Sequence, residues 1–258
     1  MSVASVVPGY KESGSGPAVV FLHGIGGNRH AFDAQIEPMQ DRFRCVAWDM
    51  PGYGGSAPMA DMTFDTLSAA LGALLDHLGL QRAHLVGHSM GGMVAQTFVA
   101  RHAERVDKLV LAQTSARFGK PGGDWQQQFL DVRLKPLDAG HTPADFARSL
   151  IEGMFADPNM TAAIEKAVAT MSPLPAGVYR QALTALVRFD CEAALAQIPC
   201  PTLCLAADQD QTAPARVLER MAGLIPDGRY VCLVNAGHLA YLEAAESFSS
   251  ALTDFLGG

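Results

Sequence analysis

Clusters of basic residues are missing from this sequence: 19 Lys and Arg face 26 Asp and Glu, the net charge is −7, and no positive run interrupts the chain. A surface that neutralises phosphates needs such clusters, so no nucleic-acid partner is expected. Also absent is an apolar run long enough to span a bilayer. Residues 1–5 lack a basic region followed by an apolar core and cleavage site, so the expected location is the cytoplasm, away from membranes. Cysteine is sparse, and five at scattered positions read as buried thiols rather than a disulfide framework. Cys200 and Cys204 lack zinc-knuckle spacing, and Cys204 falls in an apolar run that reads as core. There is no internal repeat and no low-complexity tract.

What is present is ample core material. With 258 residues, 49% hydrophobic and 17% charged, the chain fits one domain with an insertion. Residues 18–22, 44–48, 83–86, 106–112, 201–206 and 229–234 read as buried strands, with shorter edge strands at 3–7 and near Tyr10. Helical patterns fall between them at 31–39, 63–78, 90–102, 214–224 and 245–256, with Thr63 as a cap and Gly79 as a stop. This alternation predicts an α/β fold, a mostly parallel sheet with helices on both faces. It breaks between 115 and 198, where only helical patterns occur, near 125–133, 143–155, 160–171 and 178–189. A helical cap of residues 116–198 inserted into a core of 1–115 and 199–258 is the expectation.

The stretch Gly87-His88-Ser89-Met90-Gly91 places a serine between two glycines where a strand stops and a helix starts. So sharp a reversal strains Ser89 and leaves no room for side chains at 87 and 91, the pattern of a nucleophile elbow. A serine hydroxyl needs a positioned base, and the base needs an orienting acid. His238, in Asn235-Ala236-Gly237-His238 after the last strand, is the candidate base. Asp208 and Asp210 both follow the strand at 201–206. Asp210, further into the loop, is the favoured acid, with Asp208 as a solvated turn residue.

Taken together, these motifs resemble the α/β-hydrolase superfamily along nearly the whole chain. His23-Gly24-Ile25-Gly26-Gly27 is similar to its oxyanion loop, Asp49-Met50-Pro51-Gly52-Tyr53-Gly54-Gly55-Ser56 to its D-x-x-G-x-G-x-S turn, and Ala207-Asp208-Gln209-Asp210 to its acid loop, in which the second Asp is the triad member. Within the superfamily the chain looks most like beta-ketoadipate enol-lactonases and related small esterases, through residues 104–119. The resemblance implies hydrolysis of a small-molecule carboxylic ester or enol-lactone by Ser89, His238 and Asp210, with the backbone N–H groups of Ile25 and Met90 as oxyanion donors and with no metal or organic cofactor. Hydrolases of meta-cleavage products, which break a carbon–carbon bond, carry Asn before the nucleophile and Trp after the histidine, where this chain has His88 and Leu239. Cofactor-free haloperoxidase or perhydrolase chemistry and a slow-turnover ligand sensor are the remaining alternatives.

Other residues have plainer readings beside functional ones. His23 is expected to brace the oxyanion loop, His88 to shape the elbow and Asp49 to hold a turn. Phe118, Trp125, Met154, Phe155 and Phe189 are candidates to line an acyl pocket, although such residues at helical spacing equally serve as core. Arg117, Arg180 and Arg188 are candidates to meet a substrate carboxylate. The pattern leaves the oligomeric state open.

Overall fold

The computed structural model describes residues 7–119 and 123–258. Of the strand expected at 3–7, residues 3–6 lie outside the described residues. The first described strand is β1 (Tyr10–Ser13), and the centre of the sheet is built from β2 (Ala18–Leu22), whose five residues are all buried. A strand covered on both faces carries apolar side chains on both, and this is why it reads as an unbroken run. Chain order continues with α1 (Asp33–Met39), β3 (Arg44–Trp48), α2 (Phe64–His77), β4 (Ala83–His88), α3 (Met90–Val99) and β5 (Val106–Ala112).

Helix α2 shows how the sequence sets its elements. Thr63 and Thr66 bond reciprocally to each other's backbone N–H at 3.1 and 2.9 Å, satisfying two donors at the helix start. Leu67, Leu71, Leu74 and Leu75 then form its buried stripe. Each full burial of this kind contributes about 1.5–3 kcal/mol. Gly79 ends the helix at φ +67, a conformation that glycine adopts without steric cost.

Among the described residues between β5 and β6 (Thr202–Ala207) lie four α-helices, α4 (Asp124–Asp138), α5 (Pro143–Glu152), α6 (Thr161–Met171) and α7 (Ala176–Leu186), followed by a short 3-10 turn at Glu192–Gln197. The two ends of this segment are fastened to each other. Cys191 N–H donates to Ala116 O at 2.7 Å and Phe118 N–H to Phe189 O at 3.0 Å, around an isolated antiparallel bridge between Arg117 and Asp190. That pairing draws residues 187–191 out of the helix, so α7 stops at Leu186 rather than at the expected 189. Helix α4 instead runs past the expected 133 to Asp138, and Gly140 follows at φ +90. The chain then closes with α8 (Ala215–Leu224), β7 (Gly228–Leu233), α9 (Ala240–Glu243) and α10 (Ala245–Gly257).

Among the described residues the sheet has seven strands in the order β1-β3-β2-β4-β5-β6-β7, and its strand pairings are parallel except that of β1 with β3. Leu22 stands opposite Gly87, His88 opposite Ala112, and Ala207 opposite Leu233. The carboxyl ends of these strands are therefore level, and the loops that follow them emerge along one edge of the sheet, where sites in open α/β sheets form. Among the described residues no helix is long and apolar enough to cross a membrane.

Candidate active site

Ser89 sits at the point where β4 becomes α3, with φ 52 and ψ −120. A non-glycine residue held at positive φ costs about 1–3 kcal/mol and persists only where its surroundings over-determine it. Here they do. A Cβ on Gly87 would lie 2.6 Å from Gly91 O, and one on Gly91 would collide with Leu22 O. Ser89 N–H donates to Ala112 O at 2.9 Å, and Ser89 O accepts from Gly92 N–H at 2.9 Å and from the Thr114 hydroxyl at 2.7 Å. The hydroxyl is thus presented by a backbone fixed on both sides.

Across the sheet edge, the loops after β6 and β7 meet. His238 Nε2 lies 3.0 Å from Ser89 Oγ, and its Nδ1 lies 2.8 Å from Asp210 Oδ2. The second Asp210 oxygen accepts from Thr212 N–H at 2.7 Å and Ala213 N–H at 2.9 Å. This network assigns the proton to Nδ1, which donates to the carboxylate and leaves Nε2 free to accept from the serine. Burial of Asp210 works to raise its pKa. Attraction to His238, the hydrogen bond between them and the two backbone amides outweigh burial and hold the carboxyl below its ordinary value.

Asp208 is an exposed turn residue, as expected, and it has a further contact: its Oδ1 accepts from Ala236 N–H at 3.2 Å, while Gln209 N–H donates to Ala236 O at 3.0 Å. The acid loop and the histidine loop are joined through these bonds. His88, the last residue before the elbow, has a contact that the sequence did not reveal: its Nε2 donates to the carbonyl oxygen of His238 at 2.8 Å. Burial, then repulsion from His238, lowers the His88 pKa to about 3, so this ring stays neutral.

The loop after β2 closes the site from the other side. His23 Nδ1–H donates to Gly24 O at 2.8 Å, and its Nε2 accepts from Met50 N–H at 3.0 Å, the bracing role expected. Burial lowers its pKa to about 4, which keeps Nε2 available as an acceptor. A Cβ on Gly24 would stand 2.9 Å from Ser89 Cβ, so glycine alone permits this approach. Among the described residues, neither Ile25 N–H nor Met90 N–H has an acceptor. Asp49, fully buried, accepts from Arg29 N–H and Gly55 N–H at 2.7 Å each and pairs with the Arg29 guanidinium, holding the turn that follows β3.

The residues considered for a pocket are dispersed. The carbonyl oxygen of Met154 accepts from His238 N–H at 2.8 Å, so Met154 meets the site through its backbone. Phe118 packs edge-on against Phe129 at 4.8 Å, and Phe155 is half-buried against the core. The Trp125 side chain lies outside the described residues. Phe189 is buried against Phe64, with ring centroids 4.5 Å apart. With Arg180 and Arg188 it lines a cavity of about 560 Å³ whose lining includes none of Ser89, Asp210 and His238. Arg180 is paired with Asp138 and Arg117 with Glu192. Sequence reasoning missed Thr114, although its place directly after a strand beside the elbow was a usable signal.

Residues 17–245 match the model of the alpha/beta hydrolase fold family. The chain is 32% identical to the candidate carbamate hydrolase RutD of Caulobacter sp. (strain K31), covering 96% of each. Among solved structures it is similar to a thermophilic esterase from Thermogutta terrifontis, at 30% identity and a TM-score of 0.87, covering 96% of this chain and 92% of the other. It is also similar to the enol-lactonase from Burkholderia xenovorans LB400, at 25% identity and a TM-score of 0.86, covering 97% and 96%.

Proposed function

Because this chain belongs to the alpha/beta hydrolase fold family and is an enzyme of that family, we propose that it hydrolyses a small-molecule carboxylic ester or enol-lactone through an acyl-enzyme on Ser89. The observation that carries this reading is the unbroken chain from Ser89 Oγ through His238 to the buried Asp210, at 3.0 and 2.8 Å. His238 Nε2 takes the hydroxyl proton as Oγ bonds to the acyl carbon. The oxyanion so formed is held by the unpaired N–H groups of Ile25 and Met90, at the start of α3, where the helix dipole adds to their effect. Collapse breaks the bond to the leaving oxygen, which takes the proton from His238. A water molecule then gives a proton to His238 as it attacks the acyl carbon, and collapse breaks the bond to Ser89 Oγ, which takes that proton back from His238 as the acid product leaves. No step calls for a metal or organic cofactor.

Residues 116–198 act in this reading as a cap over a core of 1–115 and 199–258. Contacts with the site loops support it: Met171 of α6 lies against Gly26, Val178 of α7 against Gly52, and Met154 against the histidine loop. Esters and lactones are favoured over carbon–carbon cleavage because His88 and Leu239 stand where that chemistry has Asn and Trp, and because the likenesses include an esterase and an enol-lactonase.

The test is hydrolysis of p-nitrophenyl acetate by the purified chain and its Ser89→Ala variant, with mass spectrometry of the quenched wild type. Turnover lost in the variant and one added acetyl group on Ser89 are expected. Undiminished turnover in the variant would overturn the mechanism. A panel of lactones, carbamates and ring-cleavage products then ranks substrates, and saturable binding without turnover across it would favour a sensor.

A further inference from the structure

Glu243 is the residue through which the histidine loop is tied to the segment between β5 and β6. It lies at the end of α9, and its carboxylate spends both oxygens on backbone amides. Oε2 accepts from Gly237 N–H at 2.6 Å, while Oε1 accepts from Ala156 N–H at 2.8 Å and Asp157 N–H at 2.7 Å. These donors belong to two separate stretches of chain, one 6 and the other 87 and 86 positions from Glu243. Among the described residues no Lys or Arg is paired with it. A half-buried carboxylate with no cation and three amide partners is committed to the backbone it binds.

The two stretches are also in direct contact. His238 N–H donates to Met154 O at 2.8 Å, and a Cβ on Gly237 would lie 2.9 Å from Ala156 N. Beyond the acid loop's two bonds to Ala236, the backbone of Gly237 and His238 is held at three points: by Glu243 at Gly237 N–H, by Met154 at His238 N–H and by His88 at His238 O. Asp210 fixes the ring only through Nδ1. Ring rotation is set by the carboxylate, whereas the distance from Nε2 to Ser89 is set by where the loop backbone stands.

We propose that Glu243 is a positioning residue for His238, holding the histidine loop and residues 154–157 as one unit so that Nε2 stays within reach of Ser89 Oγ; this rests on the serine mechanism above. The residue touches no reacting atom. Its effect falls on the chemical step, because misplacing a reacting group by about 1 Å costs on the order of 100-fold in rate.

The experiment compares wild type with Glu243→Gln and Glu243→Ala, with Ser89→Ala in parallel. A glutamine keeps one carbonyl acceptor and turns an NH2 toward the other amides, so it can serve only one of the two stretches. For Glu243→Gln, kcat on p-nitrophenyl acetate is expected to fall about tenfold or more, with KM within about threefold and the thermal midpoint close to wild type. Phosphonylation of Ser89 by a fluorophosphonate, which needs the same base, should slow in parallel with kcat. Glu243→Ala should lose both rate and midpoint. A kcat for Glu243→Gln within about twofold of wild type overturns the proposal, as does a rate loss fully accounted for by the folded fraction. If Ser89→Ala retains turnover, the serine mechanism fails and the proposal with it. If Ser89→Ala is inactive while Glu243→Gln is not, only the role of Glu243 fails.

Discussion

The ring of His88 donates from Nε2 to the carbonyl oxygen of His238 at 2.8 Å, joining the residue before the serine to the backbone of the histidine that faces it. The two rings lie 5.0 Å apart, and His88 also stands edge-on to Tyr241 at 4.8 Å. Replacing His88 with Phe keeps most of the packing and removes the donor, leaving a buried carbonyl without a partner. The expected cost is about 1–3 kcal/mol in unfolding free energy, with a fall in kcat on an ester substrate. Urea unfolding and steady-state kinetics on the same preparation check both. A variant with unchanged kcat would show that this bond is structural alone.

Acid sensitivity follows from the two buried histidines. Burial lowers the pKa of His23 from 6.5 to about 4 and that of His88 from 6.5 to about 3. At pH 7 both rings are neutral in the folded chain and mostly neutral in the unfolded one, so they weigh little on the balance. Below about pH 6.5 the unfolded chain binds protons that the folded chain refuses, so stability declines until each folded-state pKa is reached. For His23 the loss approaches roughly 3 kcal/mol. Asp210 acts in the same direction: its lowered pKa gives stability that is present above the unfolded value and lost as pH falls through the folded one. Urea midpoints measured from pH 7.5 to 4.5 should therefore fall steadily, and a flat profile would contradict the buried neutral state of His23 and His88.

Much of this arrangement was legible in the chain, for a definite reason. Strands β2, β3 and β5 match their predicted limits because a strand covered on both faces is an apolar run with polar or glycine neighbours. Ser89, Asp210 and His238 were legible because strand ends collect along one edge of a parallel sheet. What escaped were bonds between side chains and backbone groups far along the chain. Periodicity says which face of a helix is buried, but not that Glu243 meets the amide of Ala156 or that His88 meets the carbonyl of His238. The end of α7 escaped likewise, because it is set by the pairing of residues 116–118 with 189–191. Arg180 read as a possible substrate contact because its partner Asp138 lies on another helix.

The two aspartates of the acid loop should separate cleanly. Asp210→Asn puts an amide opposite Nδ1 of His238, favouring the wrong tautomer, and a loss of about 10⁴ in kcat is expected. Asp208→Asn retains an oxygen that can still accept from Ala236 N–H, so kcat should stay within about threefold. Kinetics of both variants on one ester decide it, and equal losses would mean that Asp208 does more than join the two loops.

Glycine substitutions offer a test in which the sign changes with position. Gly223 lies within α8 and Gly177 within α7, and a Cβ at either would meet nothing within 4 Å. Alanine there reduces the freedom of the unfolded chain at no cost in the folded one, so each change should stabilise by about 0.5–1 kcal/mol. Gly91 also lies within a helix, so propensity alone predicts the same gain. There, however, a Cβ would run into Leu22 O and lie 2.7 Å from His23 O, and the backbone cannot yield without parting α3 from β2. Gly91→Ala should therefore destabilise, by about 1–3 kcal/mol if the helix shifts to accommodate the methyl group, and should displace the Met90 N–H from its place beside Ser89. Thermal unfolding of the three variants checks the signs, and a stabilised Gly91→Ala would mean that α3 does not approach the sheet as closely as described.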